Sequence, residues 1–243
     1  MRAVMAACAG LTLLCAALIV VFTLALMLRG LPFDAGLVFG PFAVGAALVL
    51  LALAIVAVIG SLGAASLHLG GPAPRRDGLR YALDAFSGAS SIVVGIAALL
   101  LGHYLRLGER AALVLALVML NAPPLCNAVV TVLDQAAARF KVAALASGAS
   151  YEYALIAVMM PASRRAWLAQ LWVAAGRMAG QTALLAVIAH AVSPLTVRIW
   201  QDAGNASVLA VQAARAMLLV ALLLLCNAAA QSLRSPSAGD RRA

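Results

Sequence analysis

Six stretches of the chain carry almost nothing but apolar side chains: Ala7–Leu28, Val38–Leu67, Phe86–Tyr104, Ala111–Leu133, Trp167–His190 and Val208–Asn227. Each is near or above the ~20 residues a helix needs to cross the hydrocarbon core of a bilayer. In lipid every such run must be helical, because an extended chain would leave its N–H and C=O groups unpaired. The pattern therefore predicts an all-α polytopic membrane protein with about six transmembrane helices. The second run exceeds what a bilayer requires, and Gly60 and Gly63 predict a kink there, with the last part at the interface or folded back. The first run follows only Met1 and Arg2. Its apolar core is longer than the ~7–15 residues of a signal peptide, and Arg29-Gly-Leu-Pro32 offers no small-residue cleavage site, so it is expected to be a retained span.

Composition agrees. Of 243 residues, 65 % are hydrophobic and only 10 % charged, and the mean hydropathy is +1.06. A soluble fold of this size could not cover its surface with so few polar groups. The net charge of +9 does not point to nucleic acid, since aromatics are only 5 % and no basic patch is interleaved with them. Lys and Arg lie instead in short loops, where they set orientation. One set of loops holds Arg2, Arg75, Arg76, Arg80, Arg139, Lys141, Arg164, Arg165, Arg234, Arg241 and Arg242; the other holds only Arg29, Arg106, Arg110 and Arg198. Both termini are therefore expected on the cytoplasmic side of a bacterial inner membrane.

Cys8, Cys15, Cys126 and Cys226 form no CxxC pair and read as small buried hydrophobes. His68, His103 and His190 show no ligand spacing, so no metal or other cofactor is expected. Asn205-Ala-Ser207 matches a glycosylation pattern by chance, and Gly36 and Gly40 give a weak GxxxG spacing. No internal repeat stands out.

The connection Asp134–Ala166 is the longest. It reads as an amphipathic helix, a break at Gly148 and a second short helix, with Ser150 as its cap, Glu152 in its first turn and Pro161 near its end. Within it, Lys141-Val-Ala-Ala-Leu-Ala-Ser-Gly148 and the run on to Val158-Met-Met160-Pro161 resemble the "EAA" loop of ABC importer permeases. Ala143, Ala144, Gly148, Val158 and Pro161 fall at matching positions. Met160 replaces a Leu, and Val142 stands where that loop has its Glu. Three further stretches are similar to phosphate importer permeases: Gly60 to Leu69, Ser87 to Gly95 (with Ser90 in place of a Pro), and Ala175-Gly-Arg177-Met-Ala-Gly180-Gln181-Thr182-Ala183, where the family has Glu at the Gln181 position. The likeness runs in order from about Gly60 to His190, and the family it indicates is the phosphate ABC transporter permease, PstA type.

That resemblance implies a type I ABC importer permease fold. Residues 1–37 would be the first transmembrane helix and a periplasmic loop, 38–230 the permease core with a cytoplasmic coupling loop at 134–166, and 231–243 a disordered basic tail. It also implies partners: a second permease subunit (PstC type), ABC ATPase subunits and a periplasmic substrate-binding protein. The chain has no GxxxxGK[ST] sequence, so ATP hydrolysis belongs to a partner. In that resemblance the coupling loop would act as a lever docked on the ATPase, with small Ala143 and Ala144 allowing close approach and Gly148 permitting the turn.

Arg177 is a functional candidate on physical grounds alone, because a guanidinium in an apolar helix is costly unless it meets water or a partner. Gln181 is one turn on and Thr182 beside it. A guanidinium matches phosphate oxygens and stays charged, so Arg177, Gln181, Thr182 and, from the fourth span, Asn127 form the expected substrate path. Two plainer roles stand beside this. Arg177 snorkels to the interface, and Asn121, Pro123, Pro124 and Asn127 bend the fourth span either to expose carbonyls to a cavity or merely as a packing kink. Arg215 in the sixth span is expected to snorkel outward.

Phosphate transport is thus the leading expectation. The alternatives are a degenerate or differently specific permease (for phosphonate or another anion), on the strength of Val142 and Gln181, and an intramembrane serine protease using Ser90 and His190. The last lacks any GxSxG sequence.

Overall fold

The computed structural model describes residues 35–69, 73–181, 195–202 and 209–234, and all regular structure among them is helical. In chain order the elements are α1 (Ala35–Leu69), α2 (Ala73–Ser87), α3 (Ser91–Tyr104), α4 (Glu109–Ala146), α5 (Tyr151–Tyr153), a π-helical segment (Ala154–Met159), α6 (Met160–Ala179), α7 (Leu195–Gln201) and α8 (Leu209–Arg234). Among the described residues, Phe39–Leu69, Glu109–Ala146 and Val211–Arg234 are long and apolar enough to cross a membrane. Asp77–Ser87 and Ser91–Tyr104 make a fourth such unit if a pair bent by 98° is taken as one. The expected first span Ala7–Leu28 lies outside the described residues.

α4 is the central helix. Leu113, Leu117 and Leu133 are fully buried, and α1, α2, α3 and α6 all pack against it. From α1, Ala52, Val56 and Ala64 repeat at helical spacing and are wholly buried. The opposite face of α1 is the reverse of a water-soluble surface: Leu50, Leu51, Val58 and Leu62 are each more than half exposed. Val93 and Leu100 of α3 and Leu224 and Leu225 of α8 extend this apolar belt. So large a continuous apolar exterior calls for a non-aqueous cover.

Several boundaries differ from those the sequence predicts, each for a local reason. α1 is one helix of 35 residues, uninterrupted at Gly60 and Gly63. These glycines serve close approach to α4: a Cβ on Gly60 would meet the Leu125 side chain at 3.3 Å, and one on Gly63 would meet Cys126 Sγ at 3.1 Å. The run Phe86–Tyr104 is broken by a sharp turn at Gly88-Ala89-Ser90, between α2 and α3. The amphipathic first arm of the long connection is no separate helix. α4 continues straight through Asp134 to Ala146, 38 residues in all, because nothing between Leu133 and Ala146 breaks a helix.

The second arm likewise does not stop near Pro161. α5, the π segment and α6 form one continuous path, with Pro161 in the first turn of α6. A proline ring crowds the carbonyl four residues back, and the widened π turn ahead of it relieves that crowding. Within the run Trp167–His190, α6 closes at Gly180, and residues 182–194 lie outside the described residues. α8 extends to Arg234, into the expected tail. Arg215 does not snorkel outward. It is 3 % exposed and paired with Asp202 just after α7.

Candidate functional site

α6 and α8 run antiparallel. Arg234 Nη2 donates to Gln170 Oε1 at 3.3 Å near one end, and further along a Cβ on Gly176 would lie 3.3 Å from the Cβ of Cys226. Gly176 and Gly180, one turn apart, bring the α8 backbone close and leave a groove of about 470 Å³ lined by Val173, Gly176, Arg177, Gly180, Gln181, Leu223 and Asn227. Arg177 is the one cation of that lining, and the lining has no carboxylate. Arg177 lies about 20 Å along the helix from Arg164, far beyond side-chain reach of that end.

The Arg177 guanidinium donates through Nη2 to Asn121 Oδ1 at 3.3 Å. Asn121 sits on α4, is 1 % exposed, and uses its Nδ2 to donate to Leu117 O at 2.8 Å. With its amide hydrogen committed to the backbone, the Asn121 oxygen is left to face the arginine. Pro123 and Pro124 follow it inside α4, and neither supplies the N–H that would bond the carbonyl four residues back. Asn227 on α8 donates to Leu223 O at 2.9 Å and lines the groove, with its carbonyl and second amide hydrogen left over from that bond. The chemistry on offer is a fixed positive charge with neutral amide donors around it. That combination suits an oxyanion.

Of the expected path residues, Arg177 and Gln181 line the same groove. Thr182 lies outside the described residues, as does His190. Asn127 is elsewhere: its Nδ2 donates to Asp84 Oδ1 of α2 at 2.6 Å, on a different face of α4. Asn121 and Asn227 take the places beside Arg177 that sequence reasoning did not assign to them. The signal that could have found Asn121 is that a buried amide in an apolar helix must have a partner. A second cavity of about 240 Å³ lies between α1, α6 and α8, lined by Phe42, Leu48, Trp172, Leu219 and other apolar residues, and offers no polar chemistry.

The expected coupling loop forms a helical hairpin. α4 ends with Gly148 N donating to Leu145 O at 3.0 Å and Ala149 N to Ala144 O at 3.1 Å, and Gly148 holds φ +84°, where a Cβ is disfavoured. Ser150 then caps the second arm, accepting from Tyr153 N at 3.2 Å, with Glu152 in the first turn, as the sequence predicts. Ala143, Gly148 and Pro161 are exposed, whereas Ala144, Val158 and Met160 are half-buried. Val142 and Tyr153 are exposed as well, at 78 % and 63 %.

A polar cluster ties the hairpin to the helix body. His68 at the end of α1 sits between Tyr151 Oη (Nδ1, 3.2 Å) and Asp134 Oδ1 (Nε2, 3.4 Å). Asp134 Oδ2 also accepts from Arg80 Nη2 at 2.6 Å, and Lys141 lies 5.0 Å above the Tyr151 ring. These contacts gather Arg80 and Lys141 at one end of the molecule, and Arg139 lies on α4 between Asp134 and Lys141. Arg164, Arg165 and Arg234 lie there too, since α6 starts from the hairpin and α8 ends beside Gln170.

No protein-family model matches the chain, and no curated protein sequence matches it.

Proposed function

We propose that this chain is the permease subunit of an ATP-binding-cassette importer for inorganic phosphate, embedded in the bacterial inner membrane through six spans with both termini cytoplasmic. The observation that carries the reading is Arg177: a guanidinium in the last turn of α6, open to a groove between α6 and α8 whose lining holds no carboxylate, and held by the neutral amide of Asn121. Such a group is tolerated in a membrane only where it faces water, a ligand or another subunit. The α6–α8 face would therefore line the substrate path, completed by a second permease subunit. The exposed hairpin at the basic end is the part that would dock on ATPase subunits, and a periplasmic binding protein would deliver the anion.

The exposed Val142, where the resembled loop has a Glu, favours a second reading, a related permease with weakened coupling or a different anion. One experiment tests the main reading. ATP-dependent uptake of labelled phosphate is measured in membrane vesicles with the chain, without it, and with Arg177→Ala. Uptake should be lost in both latter cases with assembly intact. Unchanged uptake in cells lacking any substitute permease would overturn the phosphate assignment.

A further inference from the structure

Behind the groove, Arg177 is tethered by a residue that is not part of the lining. Asn121 is buried to 1 % exposure, and its orientation is set by the bond from Nδ2 to Leu117 O, which aims Oδ1 at the guanidinium. A carboxylate in that position would make an ion pair and cancel the charge. An apolar residue would leave the guanidinium untethered. An amide oxygen holds the group in place while leaving its full positive charge available. Asn227 across the groove and Gln181, one turn on from Arg177, add neutral groups that both donate and accept, and no carboxylate among the described residues pairs with Arg177.

We infer that Asn121 is a positioning residue that keeps Arg177 charged yet fixed, and that Asn227 forms the opposite wall of the same oxyanion site. The inference rests on the permease reading and adds to it the residues that set affinity. A tetrahedral oxyanion placed in the groove would take charge-assisted bonds from the guanidinium N–H groups not directed at Asn121. The Asn227 and Gln181 amides would serve its remaining oxygens, donating to bare oxygens and accepting from a protonated one. The Leu223 carbonyl fixes Asn227 as the Leu117 carbonyl fixes Asn121, so both amides are held by their own helices before any ligand arrives.

The test uses the assembled importer in vesicles and reads the concentration dependence of labelled phosphate uptake for Asn121→Asp, Asn121→Ser, Asn227→Leu and Arg177→Ala, alongside the amount of complex formed. Asn121→Asp is nearly isosteric and should raise the half-saturating concentration at least tenfold with the maximal rate per complex little changed, because a new carboxylate occupies the guanidinium. Asn227→Leu should raise it severalfold. A purely structural role for Asn121 would instead lower the amount of complex or the maximal rate without moving half-saturation, and that result overturns the inference. Should Asn121→Asp fail to assemble, Asn121→Ser decides by the same split. If Arg177→Ala abolishes uptake while the Asn121 and Asn227 variants match wild type, the positioning inference fails and the permease reading stands. If Arg177→Ala is itself silent, the permease reading fails with it.

Discussion

His68 Nδ1 lies 3.2 Å from the phenolic oxygen of Tyr151, joining the end of α1 to the first turn of the hairpin's second arm. The two residues are far apart in sequence, and the contact fixes the angle at which the hairpin leaves the helix body. Tyr151→Phe keeps the ring beneath Lys141 and removes only the hydroxyl. A stability loss of about 1 kcal/mol is expected. If the hairpin transmits force from an ATPase, the ratio of phosphate imported to ATP hydrolysed should also fall. Paired uptake and ATPase measurements on one vesicle preparation check this, and an unchanged ratio would remove Tyr151 from the transmission route.

Asp134 accepts from Arg80 and faces His68. Asp134→Ala strips both of an acceptor, whereas Asp134→Asn retains one oxygen for Arg80. The side chain of Asp134 is 43 % exposed, so solvent screens the pair and the loss for Ala is expected near 1 kcal/mol, with Asn milder. Thermal unfolding in detergent at two salt concentrations gives the comparison, and the difference should shrink at high salt.

Gly63 and Gly40 make a matched pair for testing helix packing. A Cβ at Gly63 would press on Cys126 Sγ at 3.1 Å, while one at Gly40 would meet nothing within 4 Å. Gly63→Leu should cost on the order of 1–3 kcal/mol by overpacking. Gly40→Ala should leave the melting temperature unchanged or slightly raised, since alanine favours helix over glycine.

The buried Arg215 and the half-buried Asp202 hold α7 to α8. Removing the carboxylate takes away a charge-assisted hydrogen bond to a buried guanidinium, so Asp202→Ala should destabilise by about 1–3 kcal/mol. Replacing both, Asp202→Ala with Arg215→Met, should recover part of that loss. A double-mutant cycle by thermal denaturation gives the coupling. Equal losses in the single and double variants would show that the pair matters only through packing.

Gly148 turns the hairpin at φ +84° with no atom near its missing Cβ. Gly148→Ala should therefore cost only backbone strain, about 1 kcal/mol, and Gly148→Asn less, since asparagine enters the left-handed region more readily. If the hairpin docks on an ATPase subunit as proposed, co-purification of that subunit should weaken in the order Gly148→Asn, Gly148→Ala, Gly148→Val.

The hairpin shows how far local reading reaches. Ser150 as a cap, Glu152 in the first turn and the break at Gly148 were all legible, because each depends on backbone needs within a few residues. The helix lengths around it were not. Whether α4 stops at Leu133 or runs on to Ala146 depends on no breaker residue, and α2 docks on that continuation through Arg80 and Asp134. Gly60 and Gly63 were read as a kink because glycine is permissive, but the close approach of α4 decides their use.

The same division holds at the groove. Arg177 announces itself, because a charge among apolar neighbours is conspicuous whatever the fold. Its partners do not. Asn121 and Asn127 lie on one helix and are chemically identical, yet one holds Arg177 and the other bonds Asp84, according to which face of α4 each occupies and what packs there. Apolar helices, the basic side of the chain and an anomalous arginine follow from side-chain chemistry summed along the sequence, since solvation energies act residue by residue. Which amides meet that arginine, where Arg215 finds its acid and how the hairpin is fastened were decided only by tertiary packing, because hydrogen bonds and ion pairs act over a few ångströms between residues the sequence places far apart.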